Sequence, residues 1–221
     1  ARSKVVRGLA YLQLIQIYQK GNPALTDAGI PLIDPTADLI NGPGFGRLTV
    51  ADAYEQIEAD LTEGYTGLDG YSRADKTAIN KHVAAGFLAR FYLLTKDYNK
   101  AVTFATEAQA GGSLNGASLT DGFQFITNPE WMWGADLDAD SSSIYASFFA
   151  QMQSYSPTFQ SAAGYTPGYT GQLGHHKTVD KRLYDAVEDT DIRKQWFGPD
   201  NGFIFSPVPG QIYNYKFYDN T

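Results

Sequence analysis

The stretch Ala78-Ile79-Asn80-Lys81-His82-Val83-Ala84-Ala85-Gly86-Phe87-Leu88-Ala89-Arg90-Phe91-Tyr92-Leu93-Leu94 decides the fold. It has no proline and only four strongly polar side chains, Asn80, Lys81, His82 and Arg90. A helix of this composition is apolar around most of its circumference and belongs inside a protein core. It is too short and too interrupted to span a bilayer. Lys96-Asp97 makes a turn, and Tyr98 to Ala110 resumes a helical period. Ala101, Ala105 and Ala108 fall on one face, with Tyr98 and Val102 beside them. Small side chains let another helix approach, so the two segments are expected to form an antiparallel hairpin.

Toward the N-terminus, a first helix is expected from Arg2 to Gln19. Val5, Leu9 and Leu12 form its stripe, flanked by Tyr11, Ile15 and Tyr18. Gly8 disfavours a helix by roughly 1 kcal/mol against Ala, which implies close packing there. Gly21-Asn22-Pro23 ends it, and residues 21–48 form a long loop with Gly42-Pro43-Gly44-Phe45-Gly46. Those glycines lack the Gly-Lys-Ser/Thr ending of a phosphate cradle, so the plain-loop reading is preferred. Thr49 is an N-cap with Asp52 at N3 of the next helix. Ala53, Tyr54, Ile57 and Leu61 should face the core; Glu55, Glu58, Asp60 and Glu63 should face water. Arg73 and Lys76 are expected to dock against acidic neighbours, and His82 to be a surface or hydrogen-bonded histidine rather than a ligand.

After Gly111-Gly112 the character changes. Glu130-Trp131-Met132-Trp133-Gly134 alternates like a short strand. Asp136, Asp138 and Asp140 invite a calcium reading, but Ser141 and Ser147 stand where an EF-hand loop needs glycine and glutamate. A solvated acidic turn is preferred over an irregular calcium site. Residues 141–176 contain no Asp, Glu, Lys or Arg but hold many aromatics. Ile144, Phe148 and Met152 share a helical face suited to the core. Tyr155, Tyr165 and Tyr169 lie in loop-like sequence, where a neutral polyhydroxy ligand can stack on them. Trp131 and Trp133 join them as candidate ligand contacts, with plain packing as the alternative. His175-His176 is adjacent rather than spaced for a metal. Thr178 is read as the cap of a helix containing Val179, Leu183, Tyr184 and Val187. Ile192, Trp196 and Phe197 should close onto the core. Asp189 and Asp191 could form a carboxylate pair, but Arg193 beside them favours an ion-pair role.

The 221 residues carry a net charge of −7, no cysteine and no basic run. This excludes thiol chemistry and argues against nucleic acid as a partner. Fifteen tyrosines, three tryptophans and 22 glycines point to aromatic loops on a helical body. The chain opens within a helical pattern without a leader and closes in a strand-like alternation, so both ends read as truncated. The expected fold is mostly α, with helical hairpins, long irregular loops and a few short strands. Residues 1–110 form the helical scaffold with loop 21–48. Residues 111–221 form the loop-rich, aromatic, ligand- or partner-facing part of the same domain.

Four stretches together resemble the SusD/RagB family of glycan-binding lipoproteins of the bacterial outer membrane. They are Val6-Arg7-Gly8-Leu9-Ala10-Tyr11-Leu12-Gln13-Leu14, the helix Val50 to Leu61, Asn80 through Leu94 continuing to Ala101, and Lys181 to Arg193. The resemblance implies a tetratricopeptide-like scaffold, a cell-surface glycan site built on aromatic stacking, and no catalysis. It also implies a lipid anchor and a TonB-dependent transporter of the SusC type as partner. The site residues above come from chemistry and not from the family. The alternatives are a protein-interaction scaffold without its own glycan site and a glycoside hydrolase using Asp189 and Asp191 or the Asp136 cluster. The hydrolase lacks a nucleophile elbow, zinc motif or histidine-centred constellation.

Overall fold

The computed structural model describes residues 1–33, 36, 42, 44–113, 119, 123, 125–136, 148–152, 177–198, 211–214 and 216. The chain forms two compact units, Ala1–Gly112 and Ser113–Thr221. Among the described residues, the first holds four helices: α1 (Arg2–Tyr18), α2 (Val50–Thr66), α3 (Lys81–Leu94) and α4 (Tyr98–Gln109). The fold is mostly α, as the apolar periodicities imply.

Consecutive helices run antiparallel. Lys4 pairs with Glu63 and Arg7 with Asp60 between α1 and α2. The two backbones come close at glycines: a Cβ on Gly64 would lie 2.4 Å from Val5 Cγ2, and one on Gly8 2.9 Å from Leu61 Cγ. The packing implied by Gly8 is therefore present. The buried stripe of α1 is Val5, Gly8, Tyr11, Leu12 and Ile15, whereas Tyr18 is exposed. Asp60 corrects the expected solvent face of α2. Only 2% exposed, it accepts two hydrogen bonds from Arg7, Nε at 2.7 Å and Nη2 at 2.6 Å. A buried carboxylate is tolerated because the planar guanidinium matches it bidentately.

The described part of loop 21–48 is fastened to the start of α2. Gly29 N donates to Leu48 O, Leu48 N to Ile30 O, and Val50 N to Asp27 O. Arg47 donates to the carbonyls of Ala28 and Gly29, and Ile30 is buried. Thr49 and Asp52 form a reciprocal capping box at the N-terminus of α2.

Asn80 caps α3 by accepting from Val83 N, so the helix begins three residues later than the apolar run. α3 buries Val83, Ala84, Ala85, Phe87, Leu88, Phe91 and Tyr92, as its nearly all-round apolar surface requires. Against α2, Phe91 meets Tyr54 edge-on, and Tyr92 donates to Glu58 at 2.7 Å. The α3–α4 turn places Lys96 in the left-handed region at φ 65°, and Asp97 caps α4. Along α4, Ala108 is buried, Ala101 and Ala105 are half-buried, and Phe104 stacks on Tyr92 at 5.5 Å. Tyr98 and Val102 face water instead. His82 Nδ1 lies 2.9 Å from the Glu107 carbonyl oxygen, which makes it a hydrogen-bonded histidine of the hairpin. Arg73 donates to the Ala78 carbonyl, and Asp75 is among the charges close to it.

In the second unit, β1 (Thr178–Asp180), β2 (Phe197–Gly198) and β3 (Gln211–Asn214) form an antiparallel sheet of order β1-β3-β2. Val179 pairs with Ile212, and Phe197 with Asn214. Thr178 therefore begins a strand rather than capping a helix. The cap is Asp180, which accepts from Arg182 N to start α6 (Lys181–Ala186). A shorter helix, α5 (Phe148–Met152), leaves Phe148 52% exposed, against its expected core placement. Residues 130–134 form turns and bends rather than a strand. Asn128-Pro129 drives this. Asn128 is 4% exposed and accepts from Glu130 N through its side chain, while Trp131 N donates to the Asn128 carbonyl. An Asx turn with proline at its next position overrides a short alternation.

Candidate aromatic site of the second unit

Three stretches of the second unit converge on Phe123. The first is the Asn128 turn, which carries Trp131 back so that its indole N–H donates to the Phe123 carbonyl at 3.0 Å. The two rings meet edge-on, 6.4 Å between centroids and 89° between planes. The second is the 3₁₀ helix Ile192–Trp196, capped by Asp191 through Arg193 N. It presents Trp196 edge-on to Phe123 at 6.5 Å, with its indole N–H donating to the Leu119 carbonyl. The third follows β3. The Asn214 side chain accepts from Lys216 N, and the Lys216 ammonium lies 4.2 Å from the Trp196 ring centroid and 5.7 Å from that of Phe123.

The chemistry of this cluster is that of a platform. Both indole N–H groups are occupied by backbone carbonyls of residues 119 and 123, so what Trp131 offers outward is its ring. Trp131 is 37% exposed, and Phe125 close by is 52% exposed. Aromatic faces stack on the C–H faces of sugars, and a neighbouring ammonium adds a donor that an aromatic ring holds in place.

Asp189 and Asp191 serve the framework around this cluster. Asp189 accepts from Lys194 and Asp191 from Arg193. Hydrogen bonds to Arg193 hold the Asp191 carboxyl down at about 2, and those from Lys194 lower that of Asp189. A general acid for glycoside cleavage needs a raised value instead.

Among the expected contacts, the structure brings Trp131 into the cluster and leaves Trp133 half-buried two residues on. Tyr155, Tyr165 and Tyr169 lie outside the described residues, as do Asp138 and Asp140. Asp136 is exposed, and no group of three potential metal ligands occurs among the described residues. Sequence reading missed Phe123 and Lys216 and gave Trp196 to the core. The rarity of tryptophan marks Trp196 for attention; nothing local marks Phe123. No described helix is long and apolar enough to cross a membrane.

Residues 1–93 match a SusD-like family model described as "Starch-binding associating with outer membrane". The whole chain superposes on a SusD-like carbohydrate binding protein from Bacteroides vulgatus with a TM-score of 0.73 at 23% identity, covering 100% of this chain and 45% of that one. A SusD superfamily protein from Bacteroides thetaiotaomicron matches with a TM-score of 0.70 at 18% identity, covering 98% and 47%. A laminarin binding SusD-like protein matches with a TM-score of 0.66 at 17% identity, covering 98% and 51%. No curated protein matches the chain. The chain thus spans about half the length of these solved relatives.

Proposed function

We propose that this SusD-like chain, with the family's signature over residues 1–93 and the superfamily's fold along its length, belongs to a non-catalytic glycan-binding protein. The protein holds oligosaccharide at the outer-membrane surface and passes it to a TonB-dependent transporter of the SusC type. The observation that carries the binding role is the Trp131–Phe123–Trp196 platform, whose indole donors are used internally while Trp131 keeps ring surface toward solvent. That arrangement suits the stacking of a neutral pyranose, the chemistry also offered by Tyr155, Tyr165, Tyr169 and Trp133. The relatives' printed descriptions, carbohydrate binding and laminarin binding, support the same ligand class. The ion-paired states of Asp189 and Asp191 support a role without catalysis.

The test is calorimetric titration with starch, laminarin, plant and mucin oligosaccharides, alongside an assay for new reducing ends. One class should bind, and Trp131→Ala should weaken that binding by about tenfold or more, the effect of removing a buried aromatic anchor. Unchanged affinity in the variant would remove Trp131 from the site.

A scaffold role without a glycan site has its own supporting observation. Leu93, Tyr98 and Val102 at the α3–α4 hairpin are each at least 60% exposed. Co-purification with a transporter and silence toward every glycan would favour that reading.

A further inference from the structure

The cluster centres on a residue in an unusual backbone conformation. Phe123 has φ 61°, in the left-handed region. Among the described residues, the other two non-glycine residues found there are Asn22 and Lys96, and Lys96 directly follows the C-cap of α3, where left-handed residues commonly end helices. A bulky aromatic at positive φ is strained. Such strain persists where surrounding contacts over-determine it. Here they include two edge-on tryptophans, a hydrogen bond from Trp131 to the Phe123 carbonyl, and the Lys216 ammonium.

We infer that Phe123 is the positioning residue of the platform: its backbone holds the Trp131 edge through the carbonyl, and its ring braces Trp131 and Trp196 together. Trp131 and Trp196 are 65 residues apart in sequence and reach the same ring from different elements. With both indole N–H groups tied to the segment that carries Phe123, the two rings are fixed before ligand arrives. A pre-fixed platform gives up less side-chain freedom on binding than one assembled around the sugar. Phe123 thereby sets affinity without being the surface on which the sugar lies. The inference rests on the glycan reading of Trp131.

Two substitutions separate ring from backbone. Phe123→Gly keeps the left-handed conformation, which glycine adopts freely, so the carbonyl still reaches Trp131 while the ring is gone. Phe123→Tyr keeps the ring. In the full chain, acrylamide quenching of tryptophan fluorescence should rise about twofold in the glycine variant and stay as in wild type in the tyrosine variant. Maltoheptaose and laminarin oligosaccharide titrations should show affinity falling about tenfold for glycine and rescued by tyrosine, with far-ultraviolet dichroism native in both. Wild-type quenching and wild-type affinity in Phe123→Gly would overturn the inference. Altered quenching with unaltered affinity would reduce Phe123 to a packing residue and overturn it as well. Wild-type silence toward both glucans would instead overturn its glycan role, while quenching would still decide whether the ring holds the tryptophans.

Discussion

Removing either partner of the Arg7–Asp60 pair should destabilise the first unit unequally. Asp60 is 2% exposed and accepts two guanidinium hydrogen bonds from Arg7. The Arg7 side chain is 39% exposed, and the bond to Asp60 is the main reason its pKa is raised. In Arg7→Met the methionine replaces the aliphatic stem but strands a buried carboxylate between α1 and α2. Breaking a buried pair in this way costs about 3–5 kcal/mol. In Asp60→Asn the surviving guanidinium can turn to water, so its charge is not stranded. The loss is then that of a charge-assisted hydrogen bond discounted for solvent screening, about 1–2 kcal/mol. Urea denaturation of the full chain, followed by dichroism at 222 nm, measures both. With a slope of about 2 kcal/mol per molar urea, the midpoint should fall by about 2 M for Arg7→Met and by less than about 1 M for Asp60→Asn. Equal losses, or a larger loss for Asp60→Asn, would refute the reasoning that burial of the acid decides the asymmetry.

Further outcomes are expected. Gly64→Ala should destabilise by about 1–3 kcal/mol, because its Cβ would sit 2.4 Å from Val5 Cγ2. Gly86→Ala meets only the Ala108 Cβ at 3.8 Å and should be neutral or stabilising by up to about 1 kcal/mol, read as thermal midpoints. Tyr92→Phe removes the hydroxyl that donates to Glu58 and should cost about 1 kcal/mol. In wild type, Tyr92 should resist ionisation in an alkaline ultraviolet titration, since burial and then the Glu58 hydrogen bond raise its pKa. Asp180 and Asp191 have pKa values lowered to about 2 by hydrogen bonds from Arg182 and Arg193. A depressed carboxyl contributes stability above its unfolded value of about 3.9, lost as pH falls toward 2. The amides of Arg182 and Arg193 should accordingly titrate with midpoints near 2 in nuclear magnetic resonance spectra, and midpoints near 4 would contradict the capping bonds.

The helical hairpins were readable because periodicity and capping carry their own physics. The apolar circumference of α3, the Thr49–Asp52 box and the small face of α4 all specify local structure from residues close in sequence. Asp60 was misread because its partner lies 53 positions away, and an acid on an acidic helix carries no local mark of burial. The strand reading of residues 130–134 failed because the Asn128-Pro129 turn outweighs five alternating residues. Thr178 went to a helix because a cap and a strand start share residue types, and only pairing with residues 211–214 separates them. At the candidate site, Trp131 was singled out as an aromatic in a stretch expected to be a short strand, and its place beside Phe123 comes instead from the Asn128 turn. Phe123 was not, since the groups around its ring come from residues up to 93 positions away.

The most direct test of the central claim is calorimetric titration of the full chain and its Trp131→Ala variant with starch- and laminarin-derived oligosaccharides, with reducing ends counted after prolonged incubation. The account predicts binding to one glycan class, affinity about tenfold or more weaker in the variant, and no new reducing ends. Binding that ignores the Trp131 substitution, silence toward every glycan, or steady release of reducing ends would contradict it.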